Sequence, residues 1–106
     1  QLLMEGDLIK KIEKLGGVSL VILTGIFIGL ELEPGTDMLI VGNINRKKLS
    51  HLIKVFERRS NIGMNYTVMT KAEYEYRRDI TDRFLYQILE GKKIILIDKM
   101  RNGDPL

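Results

Sequence analysis

Residues 18–42 contain the side chains that could take part in phosphate and metal chemistry. The stretch reads VSLVILTGIFIGLELEPGTDMLIVG. Thr24 and Gly25 follow one apolar run, where a glycine turn at a helix start could hold a phosphate through backbone N–H groups. Asp37 introduces the next apolar run, and a carboxylate there could bind Mg²⁺ together with substrate phosphates. We therefore predict Thr24, Gly25 and Asp37 as nucleotide contacts, with Asp37 also a metal ligand.

The same residues have a structural interpretation. Asp37 would be a strand-start residue that hydrogen-bonds to the preceding glycine loop. Gly25 would be a tight turn, followed by the apolar residues 26–28. We favour this interpretation, because an apolar turn suits packing better than contact with a phosphate. The lone histidine, His51, is predicted to be a surface residue.

Two short apolar runs must position these side chains. Residues 18–23 and 38–41 are rich in β-branched side chains and bounded by glycine or proline, which indicates buried strands. Nearly every position of the first run is apolar, so both of its faces should be covered. The intervening loop is too short for a full crossover helix, which favours antiparallel pairing of the two strands.

The rest of the chain alternates between helical and strand patterns. Asn45 and Thr70 are suited to capping the helices that follow them. The predicted elements are helices over residues 2–15, 46–59, 71–79 and 82–89 and further strands over residues 64–69 and 94–97. The helix over residues 46–59 is long enough to cross over between two strands. We therefore predict an α/β (α+β) fold with a mixed sheet of three to four strands flanked by helices.

Length and composition limit the classes of protein. Residues 1–106 form one domain at most, with residues 98–106 expected to be a flexible tail. The start at Gln1 suggests a fragment of a longer protein. The absence of cysteine excludes disulfides and Cys-ligated zinc. No apolar run approaches the roughly 20 residues that span a bilayer, so we expect no membrane partner. With no signal-peptide pattern, we expect a cytoplasmic protein.

In this order of elements the chain resembles the nucleotidyltransferase superfamily, the polymerase-beta-like fold, in its minimal form. Members carry a glycine–serine turn after the first strand, paired carboxylates at the head of the second, and a third carboxylate on a later strand. Residues 23–29 (LTGIFIG) stand at the position of the turn, and residues 35–42 (GTDMLIVG) stand at the position of the pair. Asn65, in residues 64–68 (MNYTV), stands at the position of the third carboxylate.

The chain departs from this family at the catalytic positions. Asp37 matches the second carboxylate, but Gly35 replaces the first and the amide of Asn65 replaces the third. A two-metal site needs bridging carboxylates, and each lost charge about 4 Å from an ion forfeits roughly 4 kcal/mol at an effective dielectric constant near 20. The resemblance therefore implies a pseudoenzyme with degenerate positions at Gly35 and Asn65. We expect no cofactor, and Mg²⁺ with a nucleoside triphosphate only if the protein is active.

Three functions follow from these patterns. The first is a non-catalytic regulatory or interaction module in transcription regulation. The family's context implies an N-terminal winged-helix DNA-binding part for it, which this chain would lack. The second is an active nucleotidyltransferase that moves a nucleoside monophosphate from a triphosphate, using Asp37 with Glu31 or Glu33. The third is a nucleic-acid-binding module. It would use cations of the helix over residues 46–59, above all Arg46, Lys47, Lys54 and Arg58, although a solvated helix face explains the same charges.

A tyrosine–arginine cluster leaves two further alternatives open. The cluster consists of Tyr74, Tyr76 and Tyr86 with Arg77, Arg78 and Arg83 near them in the sequence. Such side chains could stack on nucleic acid bases, or those tyrosines that are exposed could form a homodimer interface. A half-buried helix explains the same spacing.

Overall fold

A computed structural model describes residues 2–24 and 35–100. Its helices are α1 (Leu2–Lys14), α2 (Arg46–Ser60), α3 (Lys71–Asp79) and α4 (Arg83–Glu90). Its strands are β1 (Val18–Leu23), β2 (Met38–Gly42), β3 (Tyr66–Met69) and β4 (Ile94–Asp98). Within the described residues, no helix combines the length and the apolar character needed to cross a membrane.

The strands form one mixed sheet in the order β3-β2-β1-β4. β1 lies antiparallel to both β2 and β4, and β2 lies parallel to β3. The short connection and the crossover helix α2 thus make the antiparallel and parallel pairs that their lengths predict. The predicted α+β class with a mixed sheet is confirmed.

Helices cover both faces of the sheet. Val21 and Leu23 pack on one side with apolar residues of α1 and α2. Leu20 and Ile22 pack on the other side with apolar residues of α3 and α4. The side chains of β1 therefore alternate between two hydrophobic clusters, which explains why nearly every residue of this strand is apolar.

Local capping sets the helix ends. Asn45 Oδ1 accepts a hydrogen bond from the backbone N–H of Lys48 at 3.0 Å, and Thr70 Oγ1 accepts one from Glu73 at 3.0 Å. Both predicted caps are confirmed. Asp82 is the N-cap of α4 rather than its first residue, because its side chain accepts from the backbone N–H of the third helical residue.

Two glycines allow the start of β1 to approach the end of β2. Gly17 and Gly42 have φ angles of 80° and 154°. A Cβ on Gly42 would overlap the carbonyl oxygen of Gly17, whose position is set by a 3.0 Å hydrogen bond from the N–H of Asn43. Glycine is therefore needed at both positions for conformation and for space.

The chain stays in the fold beyond the predicted end of its last strand. Asp98 belongs to β4, and the N–H of Lys99 donates to the carbonyl of Ser19 at 2.7 Å. Met100 is only 4% exposed and packs in the cluster beneath α3 and α4. The expectation of a flexible tail over residues 98–106 is therefore wrong for residues 98–100, which are held by backbone pairing and burial. Residues 101–106 lie outside the described part of the chain.

Candidate functional site

The end of β1 and the starts of β2 and β3 meet at one edge of the sheet. Thr24, Asp37 and Asn65 come together there, although the last two are 28 positions apart in the chain. The N–H of Thr24 donates to the carbonyl of Asp37 at 2.8 Å, and the N–H of Asp37 donates to the carbonyl of Asn65 at 2.7 Å. We call this set of three residues the Asp37 edge. It unites three positions that sequence reasoning singled out.

The carboxylate of Asp37 is bound to the backbone immediately before β3. Its Oδ2 accepts a hydrogen bond from the N–H of Asn65 at 2.9 Å. Asp37 is half-buried, and Asn65 is exposed. Hydrogen bonds to an ionised acceptor are stronger than those between neutral groups. The carboxylate therefore ties the start of β2 to the start of β3.

Buried hydroxyl groups fill the interior of the Asp37 edge. Thr24 and Thr36 are 5% and 4% exposed. The hydroxyl of Thr24 donates to the carbonyl of Thr36, and Thr36 Oγ1 lies 3.0 Å from Thr67 Oγ1. The hydroxyl of Thr24 thus points into the protein. Sequence reasoning missed Thr36 and Thr67; their only signal is a threonine near the start of each of two neighbouring strands.

The one carboxylate among the described residues of this edge does not fit a two-metal site. Within residues 2–24 and 35–100, no group of three or more His, Cys, Asp or Glu side chains could hold a metal ion. Gly35, which the resemblance placed at the first carboxylate position, is exposed with φ 84°. Two-metal chemistry needs carboxylates that bridge the ions, and the Asp37 edge supplies one carboxylate. Gly25, Glu31 and Glu33 lie outside the described residues.

The outer face of α2 carries a stripe of positive charge. Lys47, Lys54 and Arg58 are exposed, and their spacing of seven and four residues places them on one side of the helix. Arg46 is also exposed and donates from Nη2 to the carbonyl of Val68 at 3.5 Å. No ion pair within the described ranges joins these four cations to a carboxylate. Three of the four predicted nucleic-acid contacts thus share one exposed face of α2.

A cleft of about 230 Å³ lies between α1 and α2, away from the Asp37 edge. Leu8, Leu52 and Phe56 give it an apolar lining, and His51 and Arg59 lie in its wall. His51 is exposed, as predicted. The cleft contains none of the predicted catalytic or nucleotide-binding residues.

The tyrosine–arginine cluster is mainly structural. Tyr74 is fully buried, which removes it from the base-stacking and dimer-interface alternatives and fits the half-buried helix. The guanidinium of Arg78 lies 5.9 Å from the centre of the Tyr74 ring. The hydroxyl of Tyr86 donates to the carbonyl of Arg78 at 3.3 Å, and Tyr76 is 63% exposed. Packing of α3 onto the sheet therefore accounts for the first tyrosine.

Arg77 joins α3 to the start of α4. It lies 3.1 Å from both Glu73 Oε2 and Asp82 Oδ2. The backbone N–H of Leu85 donates to Asp82 at 2.9 Å; this bond, and then Arg77, lowers the pKa of the Asp82 carboxyl. Against the opposing effect of burial, hydrogen bonds to Asp82 and Glu73 raise the pKa of Arg77. These charges stabilise the corner between two helices.

The chain matches no protein-family model, no curated protein and no solved structure. The resemblance to nucleotidyltransferases therefore depends on the order of elements and on the residues at the Asp37 edge. That resemblance remains a hypothesis about function.

Proposed function

We propose that this chain is a non-catalytic, nucleotidyltransferase-like module with a regulatory or interaction role. The observation that carries the proposal is the hydrogen bond from the Asn65 N–H to the Asp37 carboxylate, at 2.9 Å. The one acid at a catalytic position is thereby engaged in holding two strands together. Its neighbour at the third acid position is an amide, which cannot accept a proton or carry charge to a metal ion.

The remaining polar groups of the edge support the same proposal. Phosphoryl transfer relies on positioned charge around the transferred group and on metal ions that neutralise it. The hydroxyl of Thr24 donates inward to Thr36, away from a nucleotide phosphate at the surface. With Gly35 in the first acid position, the described residues of the edge lack the charge that this reaction requires.

Isothermal titration calorimetry with ATP, GTP, CTP and UTP in the presence of Mg²⁺ tests the proposal. We expect no saturable heat with any of the four nucleotides. Asp37→Asn should give the same result as the parent chain, and Asp79→Asn, a change at an exposed acid on α3, is the matched control.

Saturable nucleotide binding that Asp37→Asn removes and Asp79→Asn preserves would refute the proposal. It would favour the second function, an active nucleotidyltransferase with a rearranged set of acids. Incorporation of a labelled nucleoside monophosphate into an acceptor would establish that activity.

The module is proposed to act in the cytoplasm beside a DNA-binding domain of the same polypeptide. The resemblance to nucleotidyltransferases supports this context, since the family includes such combinations. The sequence encoded upstream of Gln1 tests it directly. An upstream region without DNA-binding helices would remove the proposed role in transcription regulation.

The cationic face of α2 favours a second candidate function, the binding of nucleic acid. Each phosphate contact to duplex DNA should make log K fall by about 0.9 per unit of log salt concentration. We expect Lys54→Gln to lower this slope by about one contact, and Lys71→Gln, an exposed lysine on α3, to leave it unchanged. Filter binding or fluorescence anisotropy over a range of salt concentrations measures the slope. Binding that is insensitive to salt would exclude this function.

A further inference from the structure

β4 is an edge strand of the sheet that the structure describes. Its neighbour on one side is β1, and its other side leads out of the sheet. Ile94, Ile95 and Leu96 are 45%, 40% and 40% exposed. A run of exposed apolar residues on a strand edge is a template for pairing with another strand, because unpaired backbone groups and apolar side chains coincide.

A bulge in β4 determines which side chains share a face. Ile95 lies opposite Ile22 of β1. Asp98 lies opposite Leu20, and no residue of β1 lies opposite Leu96. Both β1 partners belong to the cluster beneath α3 and α4. Ile95 and Asp98 therefore lie on that same face of the sheet, although they are three positions apart.

Lys93 lies on this face as well. Side chains alternate along a strand, which places Lys93 on the side of Ile95. Its Nζ donates to the carbonyl of Leu89 in α4, the helix that covers this face. A positive charge thus precedes the apolar residues of β4 and a negative charge, Asp98, follows them on the same face.

We propose that β4 pairs antiparallel with β4 of a second copy of this chain, about a twofold axis through Ile95. If Leu96 remains unpaired, as it does toward β1, Ile94 lies opposite Ile97 of the second copy. Lys93 then lies opposite Asp98 of the second copy, and the symmetry repeats this pair of opposite charges. Exposed isoleucines and complementary charges are brought into contact by the same register.

This interface gives the proposed interaction module its partner, and in that respect it rests on the proposed function. Edge pairing would extend the sheet across two molecules through backbone hydrogen bonds, a mode of association that sheet edges commonly use. It would also cover the exposed side chains of residues 94–96. The helices on both faces of each sheet would keep their positions.

Sedimentation equilibrium over a wide range of protein concentrations tests the interface. We expect a reversible dimer. Lys93→Glu and Asp98→Lys should each weaken it about tenfold or more, because each change breaks two symmetric pairs and creates like charges. The double variant K93E/D98K should restore the dimer. If each single change weakened the dimer only by damaging the fold, combining the two changes would not restore it. Circular dichroism checks that every variant is folded.

Lys92→Glu is the matched control. In the proposed register Lys92 lies opposite Lys99 of the second copy, so reversing its charge should strengthen the dimer. Equal weakening by Lys92→Glu and Lys93→Glu, or no restoration in the double variant, would overturn the register. A monomer at all concentrations would overturn the interface. So would slow hydrogen exchange of β4 amides in a monomer, which would show that this chain covers its own edge.

The two proposals fail separately. A monomer that binds no nucleotide removes the dimer and leaves the non-catalytic function in place. A dimer that binds nucleotide through Asp37 removes the non-catalytic function and leaves the dimer interface in place.

Discussion

Asp37 joins the starts of two neighbouring strands through a closed pair of hydrogen bonds. Its backbone N–H donates to the carbonyl of Asn65 at 2.7 Å, and its Oδ2 accepts from the N–H of the same residue at 2.9 Å. Beneath them, Thr36 and Thr67 have hydroxyl oxygens 3.0 Å apart. A residue that looks like a metal ligand in the sequence therefore has a structural role that needs no metal ion.

Replacing Asp37 by Ala should lower the free energy of unfolding by about 1 kcal/mol, because the N–H of Asn65 loses its acceptor. Asp37→Asn keeps an acceptor oxygen at this position and should cost less. Urea denaturation followed by circular dichroism measures both. Asp79→Ala is the control and should be nearly neutral, since exposed surface changes usually are. Equal stability of Asp37→Ala and the parent chain would show that this hydrogen bond contributes nothing.

At the scale of elements, the corner between α3 and α4 depends on a cap shared with an ion pair. Asp82 accepts from the N–H of Leu85 at the start of α4 and contacts Arg77 at 3.1 Å. Arg77 also contacts Glu73 one turn earlier in α3. Since both helices cover one face of the sheet, this corner fixes how that face is closed. These contacts explain the presence of Arg77 better than contact with nucleic acid does.

Asp82 should make stability depend on pH. Its pKa is lowered in the folded chain, so its ionised form contributes stability above its ordinary pKa of about 3.9, and this contribution is lost as the pH falls through the folded pKa. The stability gap between the parent chain and Asp82→Asn should therefore be constant near neutral pH and shrink below about pH 4. Urea denaturation at a series of pH values measures the gap.

Arg77→Gln separates the two causes of the lowered pKa of Asp82, namely the hydrogen bond from Leu85 and the ion pair with Arg77. It removes the ion pair but leaves the N–H of Leu85 on Asp82, so it should retain part of the pH dependence. A gap between the parent chain and Asp82→Asn that stays constant to the lowest pH would contradict the assignment.

At the scale of the whole molecule, helices cover both faces of the sheet in the described chain. A macromolecular partner must therefore approach strand ends, sheet edges or the outer faces of helices. The Asp37 edge lies at strand ends, the cationic residues lie on the outer face of α2, and β4 forms an edge of the sheet. They offer different chemistry, namely hydrogen-bonding groups, positive charge and apolar side chains. Such separation suits an interaction module with more than one contact.

The sequence by itself determined the elements and most of their ends. Apolar periodicity depends on residues within a few turns, so it predicted the strands and helices, the caps at Asn45 and Thr70, and the crossover by α2. The loop lengths also predicted that β1 and β2 pair antiparallel and that α2 crosses over to a third strand. These features depend on short-range contacts and on the limited reach of the chain.

Only the tertiary structure decided which distant groups meet. It placed β4 beside β1, which orders residues 98–100 and leaves three apolar side chains exposed at the sheet edge. It buried Tyr74, and it brought the carboxylate of Asp37 into a hydrogen bond with the N–H of Asn65. The sequence around Asp37 is the same whether its carboxylate binds a metal ion or links two strands by a hydrogen bond. Its hydrogen-bond partner is set by the pairing of β2 with β3, a contact between segments far apart in the chain, and no local signal specifies it.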